Sequence, residues 1–351
     1  MTNVVSLRRM PRATHDPAVP GLIDLFAARR RGRHDAFWLK ENAELLQILA
    51  ALGAGQGLDL SLLQPRATGL MEELAFFPQY YRMFLSIAVD LRALGVDDVP
   101  VEAMVRLIRA ADLPAVELSD THRGEALLLL RRAGDDTARD PALDERLAHY
   151  AANARAFCLP NRRAAYDLTH IVFHATDYGR VEVARNADRR LSLVYVGMVA
   201  WLEDNLDLLA EVTLGLRLSG EDVPQAWSDA VTAGAGSVSF APGHAHGPFD
   251  DDYHQYLVLN WALGLSGGEA FAAGVPSQAR LIRQPARQGA ALRELSVALL
   301  DMGMARLPDW GRMRWRLWPR LSEAARSRLA VLETMPEFEG FFAGFARARL
   351  Q

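Results

Sequence analysis

The chain has 351 residues, half of them apolar, which is enough for one large domain or two small ones with a buried core. Its formal net charge of -4 gives no bulk attraction to nucleic acid or to an anionic membrane. A single cysteine, Cys158, excludes an intramolecular disulfide framework and a cysteine-rich zinc site. No stretch has the apolar core of a secretory signal or the roughly 20 apolar residues of a membrane span. We therefore expect a cytoplasmic protein that binds neither nucleic acid nor membrane.

The amino-terminal end is predicted to be a flexible segment over residues 1–18, followed by one all-α domain over residues 19–351. The basic run "FAARRRGRHD" near its start could contact phosphate. A solvated helix end explains the run better, because clustered arginines usually face water.

Apolar residues at spacings of three and four predict helices from end to end. The predicted helices span residues 34–55, 77–95, 118–134, 141–157, 161–178, 188–203, 205–218, 251–265, 288–303 and 321–349, the last broken near Pro336. "GSVSFAPG" is the one short strand candidate. The class is all-α, and short linkers predict helical hairpins packed as an α/α toroid-like or irregular helical array.

Two segments rich in glycine and proline, residues 232–252 and 264–289, flank the predicted helix at 251–265. Long loops in a compact domain often form lids or walls of a site. The alternative is a plain helical array with disordered connectors.

The string "THIVFHATDYG" places His170, His174 and Asp177 in one narrow arc of a helix, because steps of four and three residues return to the same face. His170 and Asp177 are roughly 10 Å apart along the axis, too far to share one ion comfortably. His170 with His174, or His174 with Asp177, could bind one together.

Asp177 is unusual because it falls in the last predicted turn, where the helix dipole disfavours negative charge. A residue that opposes local preference is expected at a functional site. The structural alternatives are that Asp177 caps the next helix or pairs with Arg180 or Arg185. For His174, a core histidine bonded to a backbone carbonyl is the alternative to a ligand.

Two further segments add candidate site residues. In "EDNLDLLAEVTLGLRL", Asp204, Asp207 and Glu211 follow one another at spacings of three and four, and Glu211 lies deepest among apolar neighbours, where it needs a partner. In "FDDDYHQYLVLNWA", the aspartates 250–252 are explained as N-capping residues, and His254 follows in the first turn of an apolar helix.

Together these segments, all within residues 161–265, predict an internal polar site with His170, Asp177, Glu211 and His254 as catalytic candidates. The same four residues and His174 are candidate metal ligands. Imidazole and carboxylate suit a divalent zinc, iron or manganese ion, and without metal they could act as general acid and base. The predicted function is an enzyme acting on a small molecule or modified peptide. The alternative is a noncatalytic binding or scaffold protein with a structural polar network.

The strings "YDLTHIVFHATDYG", "DLLAE" and "DYHQYLVLNWA" resemble the motif order of an uncharacterised bacterial all-helical family with T-H-x-x-F-x-x-T-D-[FY]-G, D-L-x-x-E and Y-H motifs. The resemblance covers about the middle third of the chain and implies an α/α scaffold of toroid type, with no reaction attached. The matching positions are Thr169, His170, Asp177, Gly179, Glu211, Tyr253 and His254.

Near the carboxyl end, "DWGRMRWRLWPR" interleaves arginine with Trp310, Trp315 and Trp318. We expect these tryptophans in the core and the arginines in water. A protein partner or a homo-oligomer interface is the alternative use of this segment.

Overall fold

The computed structural model describes residues 18–32, 34–54, 58–244, 251–285 and 291–348. Helices dominate these residues, so the all-α prediction is confirmed. None of the described helices is long and apolar enough to cross a membrane. The sixteen α-helices of the described residues are α1 Ala18–Asp24, α2 Ala36–Ala51, α3 Gln64–Phe76, α4 Tyr81–Ala93, α5 Val101–Ala110, α6 Asp120–Arg132, α7 Pro141–Ala151, α8 Arg162–Ala175, α9 Ala187–Leu202, α10 Leu206–Leu218, α11 Gln225–Gly236, α12 Tyr253–Leu265, α13 Ala291–Asp301, α14 Trp310–Leu317, α15 Glu323–Leu332 and α16 Phe338–Phe345.

The chain divides into two compact units. Unit 1 contains residues 1–139 and 235–284, and unit 2 contains residues 140–234 and 285–351. The single domain over 19–351 and the toroid arrangement stay predictions. The predicted flexible segment lies outside the described residues, apart from Ala18, which begins α1.

In unit 1, α2 packs against both α4 and α12 and forms the centre of the core. A two-stranded antiparallel sheet, β1 Ser239–Ala241 and β2 Leu281–Arg283, pairs Phe240 with Ile282. The strand predicted in "GSVSFAPG" is therefore confirmed. Each strand comes from one of the two glycine- and proline-rich segments, so the sheet ties these segments to each other.

The interpretation of "FAARRRGRHD" as a solvated helix end is wrong, because Arg30 and Arg31 are buried. Arg30 donates to Glu41 at 2.8 Å and to Asp251 at 2.5 Å, and Arg31 donates to Glu41 at 2.8 Å. Two carboxylates around two guanidinium groups neutralise the buried charge. The negative partners raise the pKa of Arg30, although burial acts in the opposite direction.

The aspartates before α12 cap it only in part, through Asp251, which accepts from the Tyr253 backbone at 3.4 Å. Asp252 occupies the N-cap position, but its side chain makes no cap hydrogen bond and accepts from the Gln284 backbone at 2.9 Å. Asp251 binds Arg30 and accepts from the Ile282 backbone at 3.0 Å. Both residues therefore anchor β2, and Asp250 lies outside the described residues.

In unit 2, α9 packs against α10 and α15 in an apolar core. Gly197 on α9 makes room for Trp227 of α11, because a Cβ atom there would lie 2.3 Å from two ring carbons of Trp227. The helix predicted at 321–349 is divided into α15 and α16, with the predicted break at Pro336 between them. Trp310 is buried as expected, whereas Trp315 is 67% exposed, so its assignment to the core is wrong.

Candidate functional site

The α8–α10 cluster lies in unit 2 and contains Tyr166, Thr169 and His170 from α8 and Asp207 and Glu211 from α10. Residues 166, 169 and 170 share one face of α8, and residues 207 and 211 share one face of α10, because steps of three and four complete a helical turn. The two helices pack against each other. Packing therefore brings both faces together.

Side-chain caps fix where these two helices begin. Asn161 accepts a hydrogen bond from the Ala164 backbone at 3.1 Å, and Asn205 accepts one from the Leu208 backbone at 3.3 Å. Such caps satisfy backbone donors that have no partner within the helix. The cluster residues follow a turn or two after these caps. Each cap therefore fixes the direction in which that face of the helix points.

Glu211 is the buried centre of the cluster, with 1% of its surface exposed. The Thr169 hydroxyl donates to Glu211 Oε2 at 2.5 Å and lies 2.9 Å from the Tyr166 carbonyl oxygen. A carboxylate out of water requires such a donor. Thr169 therefore orients Glu211.

His170 extends from the buried carboxylate toward solvent. Its Nε2 lies 3.9 Å from Glu211 Oε1, while 47% of its side chain is exposed. The pair thus combines a fixed buried oxygen with an imidazole that a solvent-borne ligand can reach. The pair joins α8 to α10.

Asp207 is held by Tyr166, whose hydroxyl donates to Asp207 Oδ2. Burial raises the pKa of Tyr166, and the charges of Asp207 and Glu211 raise it further. The phenol therefore stays neutral and remains a donor at physiological pH. Tyr166 was missed as a site residue, although its spacing from Thr169 and His170 was the available signal.

Asp204, which shares the acidic spacing of this segment, is separate from the cluster. It lies between α9 and α10 with a left-handed backbone, φ 54°, and its carboxylate pairs with Arg328. Sequence spacing alone could not separate it from Asp207.

His174 is buried one turn beyond His170, with 6.1 Å between the two ring centroids. Its ring also lies 5.9 Å from the ring of Tyr178. These contacts are compatible with the core histidine considered as an alternative, and its role as a ligand stays a prediction.

Asp177 is not in the last turn of α8, because α8 ends at Ala175 and not at residue 178 as predicted. Asp177, Tyr178 and Gly179 follow with left-handed φ values of 43°, 54° and 95°. The Asp177 carboxylate lies 3.6 Å from the Arg180 guanidinium, which is one of the structural alternatives. The dipole of α8 therefore gives Asp177 no special position, and its catalytic role stays a prediction.

His254 is the second residue of α12 in unit 1, with its ring 6.3 Å from that of Tyr253. Its predicted place among the site residues stays a prediction.

The α8–α10 cluster offers the donor set of a divalent metal site: two carboxylates and one imidazole. Two ligands at bond lengths of about 2.1 Å on a tetrahedral ion are separated by about 3.4 Å. The 3.9 Å between His170 Nε2 and Glu211 Oε1 needs only a small adjustment to reach this value.

These features define an all-α protein with an acid–histidine cluster on two adjacent helices. The chain belongs to the family described as a domain of unknown function (DUF6902), whose model matches residues 1–348. Membership confirms the resemblance to an uncharacterised family and extends it from the middle third to almost the whole chain. No curated protein and no solved structure matches the chain.

Proposed function

We propose that the α8–α10 cluster is the divalent-metal site of an enzyme that acts on a small molecule or modified peptide. The observation that carries the proposal is the His170–Glu211 pair, with one nitrogen and one oxygen 3.9 Å apart across two helices. Asp207, one helical turn before Glu211, has a carboxylate oxygen within 4.8 Å of one of the Glu211 oxygens and supplies the second carboxylate.

The charge balance supports this ligand set. Two carboxylates compensate a 2+ ion, and neutral imidazole completes a mixed nitrogen and oxygen set that suits zinc, iron or manganese. The exposed side of His170 leaves room for water or substrate at an open position. A bound ion would there polarise a substrate oxygen or lower the pKa of a bound water, which supports hydrolysis.

The neighbouring hydroxyl groups have the role of outer-sphere partners. Thr169 holds one oxygen of Glu211, and Tyr166 holds one oxygen of Asp207. Hydrogen bonds of this kind orient carboxylate ligands. The predicted participation of His174, Asp177 and His254 is tested by the same measurement.

The experiment is metal titration of the purified, metal-stripped full chain with zinc, manganese and ferrous ion, followed by elemental analysis. We expect about one ion per chain in the wild type, and at least about tenfold weaker binding in His170→Ala and Glu211→Gln. His149→Ala is the matched control, because His149 is an exposed histidine on α7 outside the cluster. Circular dichroism establishes that each variant is folded.

Either of two results overturns the proposal: a wild-type chain that binds none of the three ions, or variants that bind as tightly as the wild type. His174→Ala, Asp177→Asn and His254→Ala show whether these residues contribute further ligands.

The second candidate is a noncatalytic binding or scaffold protein in which the cluster is a structural network. The Thr169–Glu211 and Tyr166–Asp207 hydrogen bonds favour it, because they already give both carboxylates a donor. A loss of stability in Glu211→Gln, with no metal bound by the wild type, would support this candidate.

A further inference from the structure

Unit 1 presents an exposed apolar surface with acidic surroundings, formed by Phe76, Phe77, Val116 and Leu118 and called here the acidic surface. Phe76 is 76% exposed, and its ring meets that of Phe77 edge to face at 4.6 Å. Val116 and Leu118 are also exposed. Large apolar side chains grouped on a surface commonly mark an interaction site.

Glu117 brings the two halves of the acidic surface together. It lies between Val116 and Leu118 and accepts from Arg82 at 2.8 Å, at the start of the helix that follows Phe76 and Phe77. Residues 72–82 and 112–125 carry six acidic residues and two arginines. The surroundings are therefore negative.

Unit 2 presents a second exposed apolar surface, formed by Val297, Leu300, Met304 and Trp315 and called here the basic surface. Val297 and Leu300 lie one turn apart on α13, and Met304, just beyond the end of α13, is 82% exposed. Trp315 lies on α14 and points away from the core.

Arg316 joins the two parts of the basic surface. Its guanidinium lies 5.1 Å from the centre of the Trp315 ring and donates to the carbonyl of Ala305, next to Met304, at 3.4 Å. Residues 291–320 carry six arginines and three acidic residues. The surroundings are positive, although the whole chain has a net charge of -4.

We propose that the protein self-associates head to tail, with the acidic surface of one copy bound to the basic surface of another. The two surfaces complement each other in charge, and each has aromatic or long apolar anchors of the kind that dominate binding energy. Pairing either surface with itself would oppose like charges. The contact therefore joins unlike surfaces, and where the two surfaces of one copy bind different neighbours it builds rings or filaments rather than a symmetric dimer.

The first measurement is the mass of the full chain by sedimentation velocity over a concentration series up to about 200 µM. We expect the mass to rise above that of a monomer with concentration. Raising the salt from about 0.05 M to 0.5 M should weaken association at least about tenfold, because screening removes the charge attraction. A wild type that stays monomeric at every concentration in low salt would overturn the proposal.

Variants establish which surfaces meet. Phe76→Arg with Leu118→Arg disables the acidic surface, and Leu300→Glu with Met304→Glu disables the basic surface. Each double variant alone should remain monomeric. An equimolar mixture should form a dimer and stop there, because each partner keeps one intact surface. An interface that pairs either surface with itself could not give this result, because the double variant that keeps that surface would then associate alone.

Leu62→Arg in unit 1 and Val181→Glu in unit 2 are matched controls, since both residues are exposed and apolar but outside the two surfaces. The controls should associate like the wild type, and circular dichroism checks that every variant is folded. A mixture that stays monomeric, or a double variant that still associates alone, would refute the head-to-tail contact.

Discussion

Replacing Thr169 with valine removes the hydroxyl that holds Glu211 and leaves the shape of the side chain almost unchanged. The hydrogen bond is 2.5 Å long, and Thr169 and Glu211 are both buried, so water has little access to replace the lost donor. Removing a donor to a charged group costs about 1.5 to 3 kcal/mol. We expect the free energy of unfolding to fall toward the upper end of this range, about 2 to 3 kcal/mol.

The assay is urea denaturation of Thr169→Val beside Thr169→Ser, which keeps the hydroxyl. The serine variant should lose less than about 1 kcal/mol, since only a methyl group is removed. If Glu211 is a metal ligand, the valine variant should also bind metal about 10 to 100 times more weakly, because an outer-sphere partner is lost. A valine variant as stable as the wild type would refute the reasoning that Thr169 holds Glu211.

Three other predictions concern packing, buried charge and the thiol. Gly197→Ala should lower the free energy of unfolding by about 3 kcal/mol or more, because the new Cβ atom would overlap a tryptophan ring. The control Gly69→Ala, which has open space around it, should raise the free energy of unfolding by up to about 1 kcal/mol. In urea denaturation, Glu41→Gln should lower the free energy of unfolding by about 3 to 5 kcal/mol, because it removes a negative partner from two buried arginines. The control Glu102→Gln, in an exposed ion pair, should lower it by less than about 1 kcal/mol. Burial raises the pKa of Cys158 from 9.0 to about 11, so the native thiol should react with iodoacetamide at pH 8 at least about 100 times more slowly than the unfolded chain. Because the folded state holds the thiol proton more tightly than the unfolded chain does, the raised pKa of Cys158 contributes to stability. This contribution is fully present below pH 9 and should be lost as the pH rises toward 11. Equal unfolding midpoints for the two glycine variants, or for the two glutamate variants, would contradict the expected packing or charge effect. Equal alkylation rates for the native and unfolded chains would contradict the expected effect of burial on Cys158.

Most helices were predictable, because their apolar spacing is a local property of the chain. The ends of the helices were less predictable. The predicted helix 161–178 ends early at Ala175, where Asp177 and Tyr178 turn into the left-handed region. The predicted ranges left out α1, α3, α5, α11 and α14. In α11, "QAWSDAVTAGAG" has the small residues of a loop and is stabilised by Trp227 in the core.

The candidate site was predicted in part. Glu211 was expected to need a partner, and His170 was a candidate on a different helix, but no spacing in the sequence joins them. Their 3.9 Å separation depends on the packing of α8 against α10. Asp177 looked equally promising, yet its carboxylate faces Arg180 at 3.6 Å.

The sequence by itself determined the all-α class, the starts of the helices near residues 161 and 205, and the shared faces of α8 and α10, because each depends on residues within a few positions. The tertiary structure decided which acidic side chain pairs with which basic side chain. Arg30 shows the reason: it looked solvated, but its carboxylate partner Asp251 is 221 residues away in the chain. A charge can be buried only where folding brings a compensating group to it, and that group need not be near in sequence.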